Sequence, residues 1–269
     1  ATNWIISASV FYEQIKEDKA FYGLFSKSLV EHASYILTFP EIYEGGHTTN
    51  HTTSDYVGLL YLSLALPDHP DARKWQLSAT RGILKCMEYQ TYNDGGSFEA
   101  SIGYHRLVTE LFGLSAVLCR YNHIELPKEF FEKLDNMFTV VSSIIDKNGN
   151  VPIYGDNDSG TLMQFDYDKN NDYSYLFNLR SLIFCGNSFL KESEALKSFM
   201  LLLPCLEIQE EHSLNFKKLK DQELKHFKES GIDVLRINEL ICTIFTLPTG
   251  QNGHGGHNHN GQRRPAHYR

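Results

Sequence analysis

One change of rhythm constrains this chain more than any other feature. From residue 3 to about residue 203 apolar side chains recur at helical spacing, and from about residue 232 the period shortens to that of a strand. A chain divided in this way builds a helical part first and a sheet after it. Trp4, Ile5, Ala8, Phe11, Tyr12 and Ile15 mark a first amphipathic helix. Further helices are expected at about 20–39, 50–66, 71–92, 104–121, 127–146, 173–184 and 189–203. Pro40, Pro67, Pro70, Asn93-Asp94-Gly95-Gly96 and Lys147-Asn148-Gly149-Asn150 punctuate them, and Pro127 is expected at a first helical position. Short connections of this kind favour helices paired antiparallel in layers, and no close repeat points to a regular solenoid.

Ile232, Val234, Leu235 and Ile237 are strand-like, and residues 240–247 form a β-branched apolar run joined to them near Asn238-Glu239. Two strands alone are marginal, so they either dock on the helices or begin a larger sheet. A Gly/His/Asn loop follows at 250–260. Residues 261–269 are polar, basic and without pattern, a non-native-looking tail expected to join no sheet. The organisation expected is therefore a helical domain at 1–205, a linker or helical connection at 206–229, and the start of a β-domain at 230–260.

The formal net charge is -8. A nucleic-acid binder normally carries a basic block, and none dominates here, so nucleic acid is not an expected partner. Lys217, Lys218 and Lys220 are interleaved with Asp221 and Glu223 and read as a solvated helix face. An acidic chain can still bind an anionic substrate where a few local His or Arg groups set the potential. Cys86, Cys119, Cys185, Cys205 and Cys242 are widely spaced, without zinc spacing, and read as buried thiols. No apolar run reaches the roughly 18–20 residues of a membrane span. The chain opens Ala1-Thr2-Asn3-Trp4 with helical pattern at once, as expected of a fragment or a processed chain.

Four polar segments could carry chemistry, all at helix ends or in loops. Asn50-His51 opens a helix, where an Asn N-cap beside an exposed His is the plain structural reading. Asp94-Gly95-Gly96-Ser97-Phe98-Glu99 leads to Gly103-Tyr104-His105-Arg106, a turn followed by an amphipathic helix. Gly155-Asp156-Asn157-Asp158-Ser159-Gly160 is an Asx-rich turn that lacks the spacing of a calcium loop. His254, His257 and His259 lie among glycines, where a His-x-His pair can hold metal.

In this order the four segments resemble the motif series of heparinase II/III-like polysaccharide lyases. In that family an Asn-His pair opens a helix and an Asp-Gly loop leads into Tyr-His-Arg. A Gly-Asp-Asn-Asp-Ser-Gly segment and a Gly-Gly-His-x-His-Asn segment follow. The resemblance runs from about residue 3 to residue 260, with Asp55 where the family usually has Glu and Gly261 where it has Asp. It implies a mainly α fold: an incomplete (α/α) toroid followed by the start of a truncated antiparallel β-sandwich. It also implies lyase chemistry on an acidic polysaccharide, whether heparan-type, alginate-type or a bacterial surface polymer, in the periplasm or cell envelope of a bacterium. A sandwich cut short would leave one wall of the cleft unbuilt, and little turnover is then expected.

The chemistry accounts for the residue types. In β-elimination the C5 proton of a uronate leaves, an enolate forms and the C4–O bond breaks. An enolate beside a carboxylate needs that carboxylate neutralised, and Asn50 and His51 are suited to hydrogen-bond it. A Tyr hydroxyl, with an unperturbed pKa of ~10, can exchange the proton if its surroundings help, so Tyr104 is the candidate acid/base. By the resemblance His257 is the sandwich-side catalytic His and His259 a ligand of a structural zinc. Glu99, His105, Arg106, Asp156 and Asn157 are the expected substrate contacts. Two other readings stand beside this one. A glycoside hydrolase on a helical toroid could use two carboxylates such as Glu99 and Asp156. A non-catalytic glycan-binding module could use some of the 13% aromatic residues, although core packing explains most of those.

Overall fold

The structure, a computed structural model, describes residues 2–157, 160–162, 172–184, 222–246, 256–257 and 266–268. Among them are eight α-helices and a four-stranded antiparallel sheet. The fold is mainly α, helices first and sheet after, as the change of period requires. By internal contacts the chain divides into two compact units, with the boundary between Cys86 and Met87.

The first unit holds α1 (Thr2–Val10), α2 (Tyr12–Glu17), α3 (Lys19–Thr38), α4 (Asn50–Ala65) and most of α5 (Ala72–Gln90). The single helix expected first is broken at Phe11, and no residue of α1 or α2 is buried, so no core contact holds the two pieces in line. The core of this unit is Leu29 and Ala33 of α3, Val57, Leu59, Leu60 and Leu62 of α4, and Trp75, Ala79 and Ile83 of α5. Each fully buried Leu or Ile contributes about 1.5–3 kcal/mol over leaving it in water. Cys86 is buried here, and burial pushes its thiol up to about 11.

In the second unit α6 (Ile102–Tyr121) packs against α7 (Lys128–Ile144) and α8 (Tyr175–Phe184). Nearly every side chain of α6 is buried, on all sides of the helix, including Val108, Leu111, Phe112 and Cys119. Gly113 brings α6 close to α8, since a Cβ there would lie 2.6 Å from a Leu179 methyl. Pro127 is the N-cap of α7, one residue before the position expected for it. The helix expected at 189–203, the lysine cluster at 217–220, Cys185 and Cys205 lie outside the described residues.

The sheet runs in the order β1 (Gln222–Phe227), β2 (Ile232–Ile237), β3 (Leu240–Phe245), β4 (Ala266–Tyr268), all neighbours antiparallel. The β2–β3 hairpin turns on Asn238-Glu239 as expected, with Asn238 at φ 53, a left-handed conformation that Asn tolerates. Two expectations fail. The span 206–229 was expected as a linker or helical connection, yet it contains β1. The residues of β1 that face inward with Phe227 are Glu223 and Lys225, so hydrophobic alternation is hidden there. The tail was expected to join no sheet, yet Ala266–Tyr268 pairs with β3, because an edge ladder needs only backbone groups.

The buried face of the sheet carries Phe227, Ile232, Val234, Ile241 and Phe245. Arg236 is buried with them and donates to the carbonyls of Ser143 (3.2 Å) and Ile145 (2.7 Å), while Lys225 Nζ reaches Ser143 Oγ at 3.0 Å. A cation on the last carbonyls of α7 satisfies acceptors the helix leaves open and favours its dipole. The opposite face leaves Leu224, Leu235, Ile237, Leu240 and Ile244 exposed.

A second tie holds the β1–β2 turn. Asp94 Oδ2 accepts from the amides of Glu229 (2.7 Å) and Ser230 (2.9 Å), and Asp94 Oδ1 from Ser230 Oγ (2.9 Å). Glu229 in turn accepts from the Asn93 amide at 3.1 Å. Gly95, at φ +97, and Gly96 allow this closeness, since a Cβ would lie 2.3 Å from the Asn136 carbonyl carbon or 2.1 Å from Ser230 Cβ. The Asn-Asp-Gly-Gly turn is thus a latch between helices and sheet.

Candidate functional site

The first turn of α6 and the loop at 154–157 are built against each other. Ser101 caps α6, accepting from the Tyr104 amide at 3.4 Å, and its hydroxyl donates to the Asp156 carbonyl. The Ile102 amide donates to the Tyr154 carbonyl at 3.1 Å. Gly155 lies at φ +67, and a Cβ on it would sit 2.5 Å from Ser101 Cβ. At Gly103 a Cβ would meet Asn157 Oδ1 at 3.1 Å, so both glycines let the loop rest on the helix.

That base carries Tyr104 and brings it to His257. The two rings stack with centroids 3.5 Å apart and planes 10° apart. His257 Nδ1 lies 3.1 Å from Asp156 Oδ2, and His257 Nε2 lies 3.2 Å from Glu99 Oε2. The Asp156 amide also donates to the His257 carbonyl at 3.2 Å. A protonated imidazole would therefore be charge-paired on both edges. The side chain of Glu99 is 2% exposed and those of His257 and Asp156 24% and 38%, so the cluster runs from a buried carboxylate out to solvent. Ala100, between Glu99 and Ser101, is held at φ 53, a conformation costing roughly 1 kcal/mol for a residue with a Cβ.

Glu99, Tyr104, Asp156 and His257 are thus brought together, with Asn157 exposed beside Gly103. His105 and Arg106 correct the expectation made for them as substrate contacts. His105 is 1% exposed, its Nε2 3.1 Å from the Met137 carbonyl oxygen, and burial pushes its pKa down to about 4. Arg106 is 2% exposed, with its guanidinium 4.8 Å from the centre of the Tyr173 ring and one nitrogen 3.3 Å from the Gly160 carbonyl oxygen. Beside it the buried Glu110 accepts from the Leu162 amide at 2.6 Å and from the Tyr175 hydroxyl. Helical geometry turns each successive side chain by about 100°, so on a helix surrounded by protein the neighbours of Tyr104 point into the core.

Asn50 and His51 belong to the first unit, in the first turn of α4. Thr49, and not Asn50, is the capping residue, and Asn50 is buried. His51 Nδ1 lies 2.8 Å from Glu41 Oε2, with both side chains more than half exposed. Asp55 Oδ2 accepts from the Glu41 amide at 2.9 Å, and its pKa is raised, chiefly by burial. Glu41 was not foreseen, because nothing in its sequence context marks it. Ser101 was also missed, although a Ser just before an apolar helix is a capping signal that could have found it. His259 lies outside the described residues, among which no three His, Cys, Asp or Glu side chains come together to hold a metal.

Residues 3–183, about two-thirds of the chain, match the model of the heparinase II/III N-terminus family. The chain belongs to the heparinase II/III family. Among solved structures, this heparinase II/III family member is similar to one titled Heparinase III, with a TM-score of 0.64 and 18% identity over 91% of this chain and 36% of that one. A heparinase III gene product with methylated lysines gives a TM-score of 0.62 and 19% identity over 92% of this chain and 35% of that one. The heparan sulfate lyase HepC from Pedobacter heparinus gives 0.57 and 19% over 89% of this chain and 33% of that one. Identities this low speak for the fold alone, and the chain spans about a third of the length of these relatives. No curated protein gives a significant match.

Proposed function

We propose that this heparinase II/III family member is a polysaccharide lyase that cleaves a uronic-acid-containing polysaccharide by β-elimination. The observation that carries the reading is the stacked Tyr104–His257 pair, held by Glu99 and Asp156 at the start of α6. A base takes the C5 proton, the electron pair forms the enolate, and the C4–O bond breaks as the leaving oxygen gains a proton. Tyr104 is the group assigned to these proton transfers, with His257 beside it as its partner. Asn50 and His51, in the first turn of α4, are groups whose chemistry suits hydrogen-bonding a uronate carboxylate. Glu99 acts through His257 and is a positioning residue. Asp156 and Asn157 line the same place.

The hydrolase alternative is less favoured by the same geometry. A glycosidase needs the sugar between its acid and its base. Here an imidazole fills the space between Glu99 and Asp156, and Glu99 is shut away from solvent.

The test is prolonged incubation of the chain at high concentration with heparan-type, alginate-type and other uronate polymers. A growing ultraviolet absorbance from the 4,5-unsaturated uronate supports the lyase. Saturated reducing ends without that absorbance would assign hydrolysis instead. No cleavage of any uronate polymer sinks the proposal for this chain.

A further inference from the structure

α5 departs from the charge of the rest of the chain. Against a formal net charge of -8, its span from Ala72 to Met87 holds Arg73, Lys74, Arg81 and Lys85 and no Asp or Glu. At about 100° per residue, positions 73, 74, 77, 78, 81 and 85 fall within an arc of roughly 140°, so the four cations share one face. That face lines an open cavity of about 670 Å³, lying wholly within the first unit. Among the described residues no carboxylate forms an ion pair with Arg73, Lys74 or Arg81. The cations are spread through sequence that reads as ordinary amphipathic helix, so only folding gathers them.

The cavity has an aromatic wall as well. Tyr56 of α4 lies against the backbone of α5 at Gly82, where a Cβ would be 2.3 Å from the ring. Only glycine permits that approach, which sets the tyrosine ring among the cations together with Leu77 and Pro70. A face of this composition matches a chain of sugar rings bearing sulfate or carboxylate groups: cations for the acidic groups, aromatic and apolar surface for the C–H faces. A nucleic-acid strand fits it less well, because single strands are held by bases stacking on successive aromatic rings and only one ring is present.

We propose that the groove along α5 is a binding site for an anionic polysaccharide strand, built from residues separate from the Tyr104–His257 cluster. The ligand class rests on the proposed action on acidic polysaccharide, but the site stands on its own residues. From Arg73 to Lys85 the face is roughly 18 Å long, enough for several consecutive sugars. Such a site would keep hold of a polymer between cleavage events.

The experiment measures binding of a heparin-derived octasaccharide to the full chain by calorimetry. The chain carries Tyr104→Phe throughout so that the probe is not cut. Neutral dextran and a single-stranded oligonucleotide of similar length serve as comparison probes. The expected result is salt-sensitive saccharide binding that falls about tenfold or more in Lys74→Glu/Arg81→Glu, with an unchanged melting temperature because both residues are exposed. Tyr56→Leu is expected to weaken the saccharide by about threefold or more and leave the oligonucleotide unaffected. Equal saccharide affinity before and after charge reversal overturns the proposal, as does tighter binding of the oligonucleotide or equal binding of dextran. The two proposals fail separately: groove binding with no elimination product from the chain that keeps Tyr104 sinks only the lyase, and product from that chain with binding indifferent to the groove variants sinks only the groove.

Discussion

The ring of Tyr104 lies parallel to the imidazole of His257, 3.5 Å from it, while that imidazole has a carboxylate at each nitrogen. Tyrosine hydroxyl and imidazole are thereby held in one rigid stack instead of being free to rotate apart. Tyr104→Phe keeps the ring and its stacking and removes only the group that can exchange a proton. We expect it to lower formation of the unsaturated product by about 100-fold or more, with saccharide binding retained, as read from product absorbance and calorimetry. Retention of wild-type rate would remove Tyr104 from the mechanism.

Glu99 should act on rate and not on substrate affinity. Its side chain is almost fully buried, with Oε2 3.2 Å from His257 Nε2. Glu99→Gln is expected to lower kcat about tenfold with KM little changed and to alter the pH profile of kcat. A mainly structural role would instead lower the melting temperature and leave that profile alone.

His105 predicts an acid-sensitive step in stability. Its folded pKa, about 4, lies below the ordinary value of 6.5 because burial disfavours the charged ring. The unfolded chain therefore binds a proton below pH 6.5 that the folded chain refuses until about pH 4. Stability from this group is complete above pH 6.5 and is lost progressively as the pH falls to about 4, by roughly 3 kcal/mol at most. His105→Gln, whose amide can still reach the Met137 carbonyl, should flatten that part of a denaturation-against-pH curve. An unchanged slope would show that His105 is not its source.

Gly155 is expected to be intolerant of even one methyl group. Alanine there would take a left-handed φ of +67 and bring its Cβ within 2.7 Å of the Ala100 carbonyl oxygen as well as onto Ser101. A loss of about 2 kcal/mol or more is expected in chemical denaturation, together with displacement of Asp156 and His257. Gly103→Ala, with its nearest contact at 3.1 Å, should cost distinctly less.

Asp94→Ala removes the acceptor for two backbone amides and a hydroxyl from the β1–β2 turn. The expected loss is about 2 kcal/mol, with the sheet loosened first, visible as faster amide exchange in β1 and β2 than in α6. Asp94→Asn, which keeps an acceptor oxygen, should recover part of it.

The helices were legible because their apolar periods are long, and α3 to α8 begin and end within about two residues of expectation. β1 was not, because Glu223 and Lys225 take inward positions where they answer to Ser143 and Arg236, partners fixed only by folding. The same division holds at the candidate site. Tyr104 and His257 stand out as residue types in motifs, whereas Ser101 was passed over because the helix was expected to begin near Tyr104. That Tyr104 faces the site while His105 and Arg106 turn into the core depends on what surrounds α6, which no local window of sequence contains. The Asp94-Gly95-Gly96 turn drew attention as part of a chemical motif, yet its glycines serve contacts to Asn136 and Ser230.

That latch also orders events in time. Its hydrogen bonds join residues 135 and 136 positions apart, whereas α6 and α7 follow each other closely along the chain. Contacts between sequence neighbours form before the closure of a long segment is compensated. On refolding, α6 and α7 should gain protection early and together, and the strands should dock last, onto a finished helical surface that already displays Asp94 and the open end of α7.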